Sequence, residues 1–267
     1  MIGAGQYRCR GAKVILALPL LAAISTAARA QDTAPPSPFT IAGGATLTSD
    51  YRFRGLSRSD THAAIQGTLS LSHASGLYVG TWGSSIDDHV AAGSDQEIDL
   101  YGGYRTRFGG WTFDGGLLYY YFAGNAKNSN TDFFEPYLNA SYMLGPVGFK
   151  LGMNYGVGSR ALSCVYDPRC RAKSREDNLY TYVEVSSGIP NSGVTLTGHI
   201  GETMGRSYLT NGLKNYTDWS LSAGYTWKAL TLSVSYVDTD VRKREIVSPA
   251  GRNIGGAGVV GAVSVAF

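Results

Sequence analysis

From Phe39 onward, apolar and polar residues take turns, one position each, in segment after segment. Side chains of a β-strand point alternately to opposite faces, so a two-residue period predicts strands with one apolar and one polar face. Over 39–53, Phe39, Ile41, Ala45, Leu47, Tyr51 and Phe53 share one parity, and Thr40, Thr46, Thr48, Asp50 and Arg52 the other. Ile65, Leu69 and Leu71 oppose Gln66, Thr68, Ser70 and Ser72. Leu77 to Ile86 reads as a strand of unclear parity. Over 96–108, Ile98, Leu100, Tyr104 and Phe108 oppose Glu97, Asp99, Arg105 and Arg107. Over 111–122, Trp111, Phe113, Leu117, Tyr119 and Tyr121 oppose Thr112 and Asp114. The rhythm continues through Phe134–Leu144 (with Glu135, Asn139 and Ser141 opposite) and Val147–Tyr155 (with Lys150 and Asn154 opposite). It runs on through Asn178–Ser186, which carries Glu184, and Val194–Ile200, which carries His199. Asp218–Trp227, Leu230–Tyr236 and Gly255–Phe267 complete twelve expected strands.

The connections alternate in length. Short ones fall at 74–76, 109–110, 145–146, 188–193 and 228–229. Long ones cover 54–62, 87–95, 123–131, 158–177, 205–215 and 239–254. No run of 18 apolar residues follows residue 30, so a helical span is not expected there. Amphipathic strands with short and long connections in turn predict an all-β fold: a transmembrane, up-and-down antiparallel β-barrel. A soluble sandwich or lipocalin-like barrel would hide the same apolar parity in a core. Two features count against that alternative: glycine and serine fill much of the polar parity, and charged residues are only 16% of the chain.

The stretch "GVVGAVSVAF" ends on Phe267, with Val259, Val263 and Val265 on the same parity. A strand of this kind resembles the sorting signal read by the outer-membrane barrel assembly machinery. It can also pair with the first strand and remove the open edge that lipid does not tolerate. Trp111, Tyr142, Tyr155, Trp219, Tyr225 and Trp227 fit interfacial aromatic girdles.

Arg8, Arg10 and Lys13 precede an apolar run, Val14–Ile24, and the small-x-small site Ala28-Arg29-Ala30. This is the layout of a cleaved secretory signal peptide. The expected organisation is a signal peptide at 1–30, a short periplasmic segment at 31–38 and an outer-membrane barrel at 39–267. Of the 23 basic residues, four lie in residues 1–30, which hold no acids, so 19 bases face 20 acids in the remainder. The basic balance of the whole chain therefore belongs to the leader, and no nucleic-acid partner is expected. Cys9 leaves with the leader. Cys164 and Cys170, in "CVYDPRC", then read as a disulfide within one outer loop.

The segments "LTSDYRFRGLSRSD", "GLYVGTWGSSID", "EIDLYGGY", "YTDWSLSAGY" and "LTLSVSYVDTD" resemble the TorF-type putative porin family of proteobacterial outer membranes. The resemblance covers about residues 39–267 and implies an outer-membrane porin of undefined substrate. It brings no catalytic residues with it, and the Cys164–Cys170 loop looks like an insertion in this member.

Twelve strands about 4.8 Å apart and tilted about 40° give a backbone diameter of about 24 Å and a channel of about 10 Å if unfilled. Such a channel would pass ions or small hydrophilic solutes. Its expected lining is Asp50, Arg52, Glu97, Asp99, Arg105, Arg107, Asp114, Glu135, Lys150, Glu184 and Asp218, with Arg54 at the rim. Asp50, Arg52 and Arg54 would share one strand face as a constriction or a salt-bridge cluster. The acidic surplus points to weak cation preference. Opposite charges pairing across the lumen would instead leave a non-conducting structural or adhesive barrel.

An outer-membrane enzyme is the remaining alternative. His199 is the inward histidine, but no G-x-S-x-G motif accompanies it. His62, His73 and His89 fall in loops or turns, and no His/Cys/carboxylate set has metal-ligand spacing. No cofactor, metal or catalytic residue is expected. The expected surroundings are outer-membrane lipid and small hydrophilic solutes or ions, with the oligomeric state open.

Overall fold

The structure, a computed structural model, describes residues 37–127, 129–163, 175–242 and 245–267. Twelve of its strands close into one antiparallel barrel: β1 (Phe39–Thr48), β4 (Ala64–His73), β5 (Leu77–Ser85), β6 (Gln96–Phe108), β7 (Trp111–Ala123), β8 (Phe133–Leu144), β9 (Val147–Ser159), β10 (Glu176–Gly188), β11 (Val194–Met204), β12 (Asn215–Trp227), β13 (Leu230–Thr239) and β14 (Gly258–Ala266). Each strand pairs with its sequence neighbours, and β1 pairs with β14 to shut the ring. The other two strands, β2 (Arg52–Phe53) and β3 (Leu56–Ser57), form a small hairpin of their own.

The five tight connections sit at one end, together with Phe39 and Phe267. At the other end lie six longer connections, here L1 (49–63), L2 (86–95), L3 (between β7 and β8), L4 (between β9 and β10), L5 (205–214) and L6 (between β13 and β14), followed only through their described residues. L5 contains a single 3-10 turn, Tyr208–Thr210. Cys164 and Cys170 lie outside the described residues, as do residues 1–36.

The apolar parity faces outward. Ile41, Leu47, Ile65, Leu100, Leu138, Leu151, Leu221, Leu232, Val259 and Val263 are all exposed, and β5 joins them through Leu77 and Val79. A surface of this kind is stable only against hydrocarbon, because water would leave the whole belt solvated at a cost. Aromatic residues edge it at both ends. Phe108, Trp111, Phe113, Tyr225 and Trp227 lie toward the tight turns, and Tyr121, Phe134, Tyr155 and Tyr236 toward the loops. Trp111 packs on Tyr142 with ring centroids 5.1 Å apart.

The seam between β1 and β14 is held in register from Gly44–Ala266 to Thr48–Ala262. Gly43 and Phe267 exchange both backbone hydrogen bonds at 3.0 Å. The Phe267 ring lies directly over Gly43, where a Cβ would sit 2.6 Å from Phe267 Cζ. A side chain at residue 43 would therefore have to displace the Phe267 ring.

One sequence expectation fails here. The first strand ends at Thr48, not Phe53. Arg54 and Gly55 have φ of 49° and 80°, the two positive values of a two-residue hairpin turn. That turn folds β2 back onto β3 and sends L1 into the barrel. Tyr51 and Phe53, expected to face lipid, lie inside: Tyr51 is buried and Phe53 packs beside it against Ile86, Val90, Tyr120, Phe122, Leu162 and Leu209. A second interior cluster joins Tyr216 to Leu56, Leu213, Val241, Ile246 and Ile254. Side chains from L1, L2, L4, L5 and L6 thus fill the loop end of the lumen.

Candidate functional site

L1 carries its own scaffold. Asp50 accepts hydrogen bonds from Arg52 Nε (2.5 Å), Ser57 Oγ (2.6 Å) and Ser59 Oγ (3.0 Å). Arg52 Nη1 also donates to the carbonyls of Gly55 (3.0 Å), Ile254 (3.2 Å) and Gly256 (3.0 Å), fastening L1 to L6. On the far side of L1, Arg252 pairs with Asp60.

From this base the hairpin tip crosses the barrel. Arg54 Nη2 donates to Glu135 Oε1 on β8 at 2.6 Å, and Nη1 to Asn178 Oδ1 on β10 at 3.0 Å. Its guanidinium also lies 4.4 Å from the Tyr180 ring centroid and 4.7 Å from that of Phe53. Burial opposes the charge on Arg54, but Glu135, Tyr120 and Tyr180 together hold the pKa above its ordinary value. Glu135 further accepts from Tyr120 Oη (3.0 Å) and Asn154 Nδ2 (3.3 Å). Beside it, Arg58 Nη1 and Tyr51 Oη donate to the two oxygens of Glu97 on β6, at 3.1 and 2.9 Å. Glu97 and Glu135 have no exposed surface. A buried carboxylate with no partner is costly, so these two acids and the two arginines require one another.

Toward the tight turns the lumen changes character. One wall, β5 to β11, carries charge and tyrosine. Arg105 Nη2 donates to Asp114 Oδ2 at 2.7 Å, and Tyr78 bonds both Asp114 and Tyr137. Lys150 lies 5.1 Å from the Tyr182 ring centroid and pairs in register with Glu184. His199 Nε2 is 2.8 Å from Tyr180 Oη and 3.3 Å from Asp218 Oδ1. The facing wall, β12 to β14 with β1 and β4, is small and neutral below Asp218, which stands near the loop end of β12. Thr46 and Ser264 bond at 2.8 Å, as do Ser222 and Ser235. These hydroxyls, with Thr68, Ser220 and Ser233, keep partial exposure inside the barrel, which marks a wet interior.

The expected lining residues divide accordingly. Asp50, Arg52 and Arg54 do not line one strand face; they belong to L1, and Arg54 is buried across the lumen rather than at the rim. Glu97, Asp99, Glu135 and Asp218 are buried behind or beside the loops. Arg105, Asp114, Lys150 and Glu184 surround the turn-side lumen. Arg107 is exposed next to the Gly109-Gly110 turn and stands apart from the others. Sequence reasoning overlooked Arg58, Ser57, Ser59, Tyr51, Tyr120 and Asn178. The Arg54-Gly55 pair was the one local signal available, because a positive-φ dipeptide between short apolar pairs marks a hairpin.

Spacing along the chain also hid a group at the loop end. Asp60, His62 and Asp87 each place a ligand atom within 4.8 Å of the others, the one such set among the described residues.

No curated protein matches the sequence. Solved structures to which the chain is similar include a porin refined at 1.8 Å resolution, with 13% identity over 86% of this chain and 100% of that one and a TM-score of 0.43. An outer membrane channel from Pseudomonas putida F1 has 14% identity over 90% of this chain and 99% of that one, with a TM-score of 0.47. The outer membrane protein opdK from Pseudomonas aeruginosa has 15% identity over 88% and 67%, with a TM-score of 0.43. Likeness at this level carries no weight for function. The family described as bacterial protein of unknown function (Gcw_chp) matches residues 32–267. The chain belongs to the Gcw_chp family.

Proposed function

We propose that this barrel is an outer-membrane channel for ions or small hydrophilic solutes, with L1 as an internal gate at the loop end. One observation carries the reading. L1 reaches the opposite wall through Arg54 and Glu135, while the turn-side lumen behind it keeps partly exposed hydroxyl and charged groups. A barrel built only as a scaffold has no use for a solvated half. The motifs that resemble the TorF-type putative porins agree with this reading. On it, residues 1–30 direct export, residues 31–38 stay periplasmic, Phe267 is read by the barrel assembly machinery, and Cys164 and Cys170 form a disulfide in L4.

The selective region is the turn-side lumen, where Arg105, Asp114, Lys150 and Glu184 face a neutral hydroxyl wall. Charges in such a place set which ions enter. The gate is electrostatic: Glu97 and Glu135 each hold one arginine of L1.

The filled loop end favours one competing reading, a closed structural barrel. Planar-bilayer recordings of the purified chain and of a chain lacking residues 50–62 separate the two. A channel predicts low or intermittent wild-type conductance and a large, steady conductance after deletion. Silence in both proteins over a range of voltages, with the barrel folded, overturns the channel and leaves the scaffold.

A further inference from the structure

L1 and L2 meet at the loop end of the barrel, where Asp87 N donates to Arg58 O at 2.8 Å. Next to that contact stand Asp60, His62 and Asp87, each with a ligand atom within 4.8 Å of the other two. The set is graded in exposure: Asp60 is buried, Asp87 is half-buried and His62 is exposed.

Asp60 points to a ligand. Its side chain is 3% exposed, and its Oδ2 is taken by Arg252. Its Oδ1 is buried and has no hydrogen-bond partner. A buried carboxylate oxygen left unpaired is destabilising unless a donor or a cation satisfies it. No N–H or O–H fills that role; apart from Arg252 on the other oxygen, an imidazole and a second carboxylate stand within 4.8 Å.

The remaining chemistry is that of a metal site. Asp87 Oδ1 is 2.5 Å from His89 Nδ1, an imidazole–carboxylate bond of the kind that fixes a ligating group from behind. Asp87 also offers one carboxylate oxygen to the set with Asp60 and His62. His62 is held by its backbone, with its N–H donating to Ser59 O at 2.9 Å and its carbonyl accepting from Ser59 Oγ at 2.7 Å. Three ligands at about 2.1 Å from one ion stand about 3.4 Å apart in tetrahedral geometry, which small side-chain rotations reach from here. One imidazole with two carboxylates suits zinc and neighbouring divalent transition ions better than calcium or magnesium, which take oxygen alone.

We propose that Asp60, His62 and Asp87 bind a divalent transition-metal ion of the zinc class that ties L1 to L2. The site rests on the placement of these loops and stands whether or not the barrel conducts, so its test reads metal binding alone.

The experiment is isothermal titration of zinc into the untagged, detergent-purified full chain, with folding checked by heat-modifiable gel mobility. One zinc per chain is expected. His62→Ala and Asp87→Asn each weaken binding at least tenfold, while His73→Ala, at the turn end, leaves it unchanged. X-ray absorption of the zinc-loaded protein is expected to show nitrogen and oxygen ligands. The proposal is overturned by no saturable binding to the wild type, by wild-type affinity in both folded site variants, or by sulfur ligation, which would move the metal to Cys164 and Cys170.

Discussion

Arg54 and Glu135 bond at 2.6 Å from opposite sides of the barrel. Arg54 enters between β1 and β4, and Glu135 stands on β8, five strands from β1 in one direction and seven in the other. Their side chains are 5% and 0% exposed. The contact is therefore a strut across the lumen.

Breaking that strut has two readouts. Arg54→Ala leaves Glu135 charged and buried, a loss of about 3–5 kcal/mol for a pair of this kind. Glu135→Gln in the same chain recovers part of it, because the stranded charge goes too. Urea unfolding in lipid vesicles measures the first effect and its rescue. Single-channel recording is expected to show severalfold more open time in both variants.

Charge changes in the turn-side lumen act on selectivity and leave the gate alone. Lys150→Gln removes a cation beside Glu184 and is expected to move the reversal potential in a salt gradient toward cation preference. Glu184→Gln is expected to move it the other way. Equal reversal potentials in wild type and both variants would show that ions do not pass this wall.

At the seam, a side chain at residue 43 competes with the Phe267 ring for space. In Gly43→Leu the new Cβ meets the Phe267 ring at 2.6 Å, and overpacking of this kind costs about 1–3 kcal/mol. The variant is expected to lose its heat-modifiable mobility at a lower temperature than wild type. Adding Phe267→Ala removes the clash and is expected to restore part of the difference.

The cysteines are expected to pair with each other. Digestion without reductant, followed by mass spectrometry, should give a cross-linked peptide holding Cys164 and Cys170. Cys164→Ser with Cys170→Ser is expected to leave the barrel's melting unchanged, because the bridge closes a short stretch within one loop.

The strands were legible because hydrocarbon outside and water inside enforce the alternation at every position. β6 runs over Gln96–Phe108, the span its periodicity predicts. The gate was not. Tyr51 and Phe53 continue the parity of Leu47, yet they face a core shared by loops and the inner faces of β4, β5, β7 and β8 rather than lipid. Arg54 finds its partners 81 and 124 residues away, a separation no local pattern encodes. The same holds for Asp60, His62 and Asp87, drawn from two loops separated by the β4–β5 hairpin. What sequence reads well is the face of a strand; what it reads poorly is where a connection goes once both of its ends are fixed.

The β1–β14 seam has a consequence for how the molecule comes to exist. Thr46 and Ser264, bonded across it, are 218 residues apart. Nearly every other pairing joins neighbours in the chain and is quick to form, whereas this one must wait for the final segment. Until then the growing sheet presents two bare ladders to its surroundings, each able to recruit a strand from another copy. A variant that delays ring closure is thus expected to be lost to aggregation and proteolysis before any defect in permeability could be measured.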